Sequence, residues 1–104
     1  MSETIALAQQ LIQIDSVTPD DKGCQNLIAD YLRPLGFNIE AMPFGEVSNL
    51  WARKGDQGPF IVFAGHTDVV PTGPESAWSH PPFSAHIEGD MMYGRGTADM
   101  SALV

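Results

Sequence analysis

Apolar residues in the first third of the chain recur at helical spacing. Ile5, Ala8, Leu11 and Ile12 fall on one face of residues 3–14, and Ser2 stands where a hydroxyl can accept from the free amides of a first turn. The polar stretch Asp15-Ser16-Val17-Thr18-Pro19-Asp20 interrupts this pattern. Leu27, Ile28, Tyr31, Leu32 and Leu35 then resume it as a second amphipathic helix, which should end near Pro34 and Gly36.

From Phe37 the period shortens to two. Phe37, Ile39 and Ala41 alternate with polar neighbours, and after Pro43–Glu46 the run Val47–Arg53 has the same character, which predicts an antiparallel hairpin. A turn, Gly55-Asp56-Gln57-Gly58-Pro59, leads to the unbroken apolar run Phe60-Ile61-Val62-Phe63, which predicts a central strand covered on both faces. Residues 65–83 carry Pro71, Pro74, Pro81 and Pro82 and predict a long irregular loop, of the kind that is more often functional than connecting. A short strand near Ser84–Glu88, a Gly89-Asp90 turn and Met91-Met92-Tyr93 close the pattern. The expected fold is α/β: one domain, with two helices packed on a mixed sheet of four or five short strands.

Composition narrows the function classes. Thirteen acidic against five basic side chains give a net charge of −8, the wrong sign for a phosphate backbone, so no nucleic-acid partner is expected. The amino terminus MSETIALAQQ has neither a basic leader nor a long apolar run, so no membrane partner is expected either. The single cysteine, Cys24, excludes an intrachain disulfide and reads as a small buried residue on a helix; a reducing compartment, the cytoplasm, follows as the expected location.

The candidate chemistry begins where the run Phe60–Phe63 ends, at Gly65-His66-Thr67-Asp68. Positions two apart in extended backbone point to one side, so His66 and Asp68 place an imidazole and a carboxylate in one space. Two readings are open: a metal-binding imidazole oriented by a carboxylate, or a turn-capping aspartate that merely bonds a histidine. A second cluster, Tyr93-Gly94-Arg95-Gly96-Thr97-Ala98-Asp99-Met100, sets two glycines before an aspartate and lacks the remaining elements of a phosphate loop.

GHTDVVPTG, then Trp78-Ser79-His80-Pro81-Pro82-Phe83, then YGRGTADM, resemble in order and spacing the dinuclear zinc metallohydrolases of the aminoacylase and carboxypeptidase G2 type, and IDSVTPDD near the start adds to the likeness. The resemblance covers residues 1 to 100 and is strongest to members that hydrolyse N-succinyl-LL-2,6-diaminopimelate to succinate and LL-2,6-diaminopimelate, a step towards lysine. It implies that His66 binds one metal ion, that Asp68 is the catalytic-site aspartate fixing this histidine, and that Asp99 bridges two metals. It also implies a cis peptide at Asp99-Met100, two Zn2+ ions per full-length active site with Co2+ as a substitute, a small N-succinyl amino acid as substrate, and a homodimer in the full-length form.

By the same resemblance, residues 1–104 are the amino-terminal portion of the catalytic domain, without the dimerisation domain, the glutamate general base or the remaining ligands. Such a piece is expected to be inactive alone, or to bind metal without catalysis. A relative acting on another N-acyl amino acid, such as N-acetylornithine, is the alternative activity. Glu75 and Glu88 read as solvated side chains, His80 as a loop residue and His86 as an ordinary exposed strand histidine. Arg95 is expected to pair with Asp90 or Asp99, and Trp78 and Phe83 to pack the loop down.

Overall fold

The computed structural model describes residues 2–100. Helix α1 (Glu3–Ile12) starts where Ser2 accepts from the Ile5 amide at 3.2 Å, and it buries Ala8, Leu11 and Ile12. Helix α2 (Cys24–Leu32) follows Gly23, whose φ of 93° lies in the left-handed region that glycine tolerates. The Asp21 carboxylate accepts from the Gln25 amide at 2.9 Å, which places a negative charge at the positive end of α2. A 3-10 turn, Arg33–Leu35, and left-handed Gly36 end the helical segment close to the expected position.

The strands form two separate antiparallel pairs. Strand β1 (Asn38–Ala41) pairs with β2 (Leu50–Arg53), with Asn38 opposite Arg53 and Ala41 opposite Leu50. Strand β3 (His86–Glu88) pairs with β4 (Met91–Tyr93) across the Gly89-Asp90 turn. The α/β class stands, but among the described residues the parallel element of the expected mixed sheet shrinks to one bridge, Val17 to Val69.

The strand expected at Phe60–Phe63 does not form: the segment pairs with nothing in either sheet, and Ile61 and Phe63 are 86% and 93% exposed. A central strand needs hydrogen-bonding neighbours on both edges and cover on both faces, and the described residues offer neither. The radius of gyration, 15.0 Å, exceeds the roughly 13 Å of a compact domain of this length, in keeping with apolar surface left uncovered.

What core exists joins the two ends of the described chain. Ile12, Cys24, Ser16 and Pro82 are buried to within 2%, with Leu11, Ala29, Val69 and Ala85 beside them. The loop from 65 to 83 is irregular apart from a 3-10 turn, Glu75–Ala77. Trp78 donates its indole N–H to the Thr72 carbonyl at 3.1 Å. The Arg95 guanidinium lies over the Trp78 ring, 5.0 Å from its centroid, in place of the expected pairing with Asp90 or Asp99. Cys24 is buried and unpaired, and burial pushes its thiol pKa up, which makes it a poor nucleophile.

Gly94 marks the tightest joint in this core. A Cβ there would stand 2.6 Å from Ile12 Cγ2 and 3.2 Å from the Pro82 carbonyl oxygen, and neither a buried β-branched side chain nor backbone can yield easily. At Gly65 the group in the way is the far end of the flexible Met100 side chain. Gly94→Ala should therefore destabilise the protein by about 1–3 kcal/mol in chemical denaturation. Gly65→Ala should cost much less.

Candidate metal centre

His66 and Asp68 lie in a segment that has no sheet to hold it, so its position depends on contacts made with residues about fifty positions earlier. The Val69 amide donates to the Ser16 carbonyl at 2.9 Å, and the Thr18 amide donates to the Val69 carbonyl at 3.0 Å. Buried Ser16 donates its hydroxyl to the Thr67 carbonyl at 2.9 Å, and Thr67 donates its own to the Asp21 carboxylate at 2.6 Å. Thr18 donates its hydroxyl to Asp68 Oδ2. Three successive residues, 67 to 69, are thus each tied to the turn between α1 and α2.

This anchoring sets the imidazole. His66 Nδ1 lies 3.0 Å from the Asp68 carbonyl oxygen and 3.1 Å from Asp68 Oδ1, both acceptors, so the ring proton belongs on Nδ1. The Nε2 lone pair then points away, toward Asp99 Oδ1 at 3.7 Å. Neither atom has a proton to offer in that tautomer, and 3.7 Å is too long for a direct hydrogen bond. Two electron-rich atoms facing each other at this distance leave room for a cation between them. Ligand atoms on one tetrahedral zinc, each about 2.0–2.1 Å from it, stand about 3.4 Å apart, so the pair needs little movement to share an ion.

The donor set fits zinc or a neighbouring transition metal: one imidazole nitrogen with a carboxylate within reach, and a second carboxylate on the far edge of the ring to fix its tautomer. Half of the His66 side chain and about two-thirds of Asp99 are exposed, so the pair opens to solvent. Two ligands are fewer than the three or four protein ligands of a finished zinc site. The peptide after Asp99 departs from expectation: the cis bonds among the described residues are Thr18-Pro19 and Gly58-Pro59, and Asp99-Met100 is not one of them. A cis bond without proline costs about 3–4 kcal/mol and persists only where surroundings impose it, and Asp99 here is exposed.

The sequence patterns single out His66, Asp68 and Asp99, and the structure brings all three together. They miss Thr18 as the partner of Asp68; the only signal was a run of hydroxyl and acidic residues, Asp15 to Asp21, crowding one turn. An open groove of about 590 Å3 between the start of α2 and the β1–β2 hairpin contains none of the three.

The Thr18 hydroxyl holds the Asp68 carboxyl below the usual carboxylate pKa, with smaller contributions from the backbone and from His66. A depressed carboxylate contributes stability that is present above the unfolded pKa of about 3.9 and is lost as pH falls through the lower folded value. Thr18→Val should raise the Asp68 pKa toward the ordinary value, read by carboxyl 13C titration of the chelator-treated protein. An unchanged titration would remove Thr18 from the anchoring role.

Comparison with known proteins adds the kinship. Residues 62–104 match the description Peptidase family M20/M25/M40. Over its whole length the chain is 75% identical to a protein named succinyl-diaminopimelate desuccinylase from Hydrogenovibrio crunogenus and 61% identical to one of the same name from Alkalilimnicola ehrlichii. A third of that name, from Hahella chejuensis, is 57% identical over 96% of this chain. The chain spans about 28% of the length of the first two relatives and 26% of the third. Both His66-Thr67-Asp68 and Gly94-Arg95-Gly96-Thr97-Ala98-Asp99-Met100 fall inside residues 62–104, the part of the chain that is similar to peptidase family M20/M25/M40.

Proposed function

We propose that the full-length protein is a zinc-dependent amide hydrolase that converts N-succinyl-LL-2,6-diaminopimelate and water to succinate and LL-2,6-diaminopimelate. The observation that carries the metal reading is the bare Nε2 of His66 facing the Asp99 carboxylate at 3.7 Å while Asp68 occupies the opposite edge of the ring. The substrate reading rests on the shared name of relatives that are 75% and 61% identical to this chain. Residues 1–104 are then the amino-terminal portion of the catalytic domain. The rest of the protein supplies the general base, the remaining ligands, the dimerisation domain of a homodimer, and the cover that Phe60–Phe63 lack.

His66, through its Nε2, and Asp99, through its carboxylate, would hold the metal. Two bound Zn2+ ions, or Co2+ in their place, supply Lewis-acid polarisation of the amide carbonyl and a water acidic enough to act as nucleophile. Asp68 keeps the His66 proton on Nδ1 and so keeps Nε2 available; being ionised through the Thr18 hydroxyl, it also adds negative charge behind the ring. The leaving amine takes up a proton as the carbon–nitrogen bond breaks, and the succinyl carbonyl gains the oxygen of water. With two ligands of its own, the 104-residue chain is inactive by itself.

The cytoplasm is the compartment that one unpaired cysteine and an amino-acid biosynthetic role support. No helix among the described residues is long and apolar enough to cross a membrane. The second reading keeps the same metal centre and changes the acyl group, with N-acetylornithine or another N-acyl amino acid as substrate.

In the full-length protein, His66→Ala and Asp99→Ala should each reduce bound zinc and bring hydrolysis of the succinylated substrate to background. Asp68→Asn should lose about 10- to 100-fold in activity or metal affinity, as orienting partners of ligands do. Metal content by mass spectrometry and succinate release are the readouts. Wild-type zinc content and rate in Asp99→Ala would reject the metal assignment, and faster turnover of N-acetylornithine would select the second reading.

A further inference from the structure

A second group of metal-ligating side chains lies outside the His66 pair. His80, His86 and Glu88 each bring one ligand atom to within 4.8 Å of the others. Their backbone explains the meeting. His86 and Glu88 are two apart on β3 and so share a face, and that strand is held in register by β4, with His86 opposite Tyr93 and Glu88 opposite Met91. His80 is returned to this face by a tight turn. The Ser84 amide and hydroxyl both donate to the Pro81 carbonyl, at 3.1 and 2.7 Å, and buried Pro82 accepts from the Arg95 amide at 2.7 Å.

The rings are stacked, with centroids 4.2 Å apart and planes 22° from parallel, and Tyr93 walls them at 4.4 Å from His80. His80 Nε2 stands 3.6 Å from Glu88 Oε2, beyond a direct hydrogen bond. Simple aromatic packing accounts for the stack and leaves the carboxylate unexplained. Two imidazoles and one carboxylate are the three-protein-ligand set of an open zinc site, with a fourth position left for water. That set suits Zn2+, Ni2+ or Cu2+ rather than the all-oxygen preference of Ca2+ or Mg2+. Ligand atoms on one tetrahedral zinc stand about 3.4 Å apart, so closing the cluster takes a shift of up to about 1.4 Å and a turn of the stacked rings that aims both nitrogens at one point, in side chains that are exposed or partly so.

We propose that His80, His86 and Glu88 form a separate transition-metal site. It rests on none of the residues of the His66 pair. Its place in the chain gives it a consequence: the loop leaving Asp68 ends at His80, and the β3–β4 hairpin runs on to Gly94 and Asp99. An ion there staples the loop to the hairpin, and so ties together the two segments that carry His66 and Asp99.

The test uses full-length protein carrying His66→Ala and Asp99→Ala, with Zn2+ as the probe. Expected is a zinc equivalent by calorimetry that His86→Gln or His80→Gln weakens at least about tenfold, because each removes one of three ligands. With the cluster itself unsubstituted, Zn2+ should shift the ring 15N signals of His80 and His86 together and saturably. Identical zinc titrations in the presence and absence of His80 and His86, or ring signals that do not move with Zn2+, would overturn the site. The ring-signal measurement decides the matter even if a substituted variant misfolds.

Discussion

The contact on which the candidate centre depends is the short pairing of Ser16–Thr18 with Thr67–Val69. It consists of two backbone hydrogen bonds that form one parallel bridge, and of hydroxyl bonds from Ser16 to the Thr67 carbonyl and from Thr18 to the Asp68 carboxylate and the Val69 carbonyl, with Thr67 tied in turn to Asp21. A single net hydrogen bond contributes only about 0.5–1.5 kcal/mol, so no one of them holds the segment. Their joint effect is geometric. They remove the freedom of three successive residues immediately after His66, and an imidazole whose orienting carboxylate is fixed has few rotamers left. Ser16, the innermost of these donors, is itself buried, whereas the Thr18–Asp68 bond faces solvent.

Electrostatics follows from that anchoring. Asp68 is kept ionised by a donated hydroxyl and sits against the proton-bearing edge of His66, while Asp99 faces the bare edge. Asp68 Oδ1 and Asp99 Oδ1 thus flank the imidazole, 3.1 Å from Nδ1 and 3.7 Å from Nε2, and the gap on the Asp99 side is the one a cation could enter. A net charge of −8 raises the local cation concentration around the whole chain but discriminates nothing. Discrimination comes from the tautomer, because a nitrogen lone pair selects transition metals over the harder ions that carboxylates alone would accept.

The uncovered run Phe60–Phe63 belongs to the same account. Hydrophobicity marks a segment for burial, but burial needs a second surface, and strand formation needs neighbours to take its amides and carbonyls. The two hairpins each pair within themselves, and among the described residues neither bonds its outer edges to this run.

Local elements were legible in the sequence because their causes are local. Ser2 ahead of an apolar stripe makes α1, Gly36 after Pro34 ends the second helical segment, alternation makes the β1–β2 hairpin, and Gly89-Asp90 turns β3 into β4. His66, Asp68 and Asp99 were legible as candidates through two short motifs, GHTD and GRGTADM, whose order and spacing resemble those of a metallohydrolase family. Thr18 was not, nor was the meeting of His80, His86 and Glu88, because each depends on chain segments brought together by packing rather than by spacing. Residue order alone determined which helices and hairpins form, and its resemblance to known metallohydrolases marked His66 and Asp99 as candidate ligands and Asp68 as the aspartate that orients His66. Only the tertiary structure decided which hydroxyl fixes Asp68, which nitrogen of His66 is bare, and that an apolar run stays unpaired, since each is settled by a partner that no local pattern encodes.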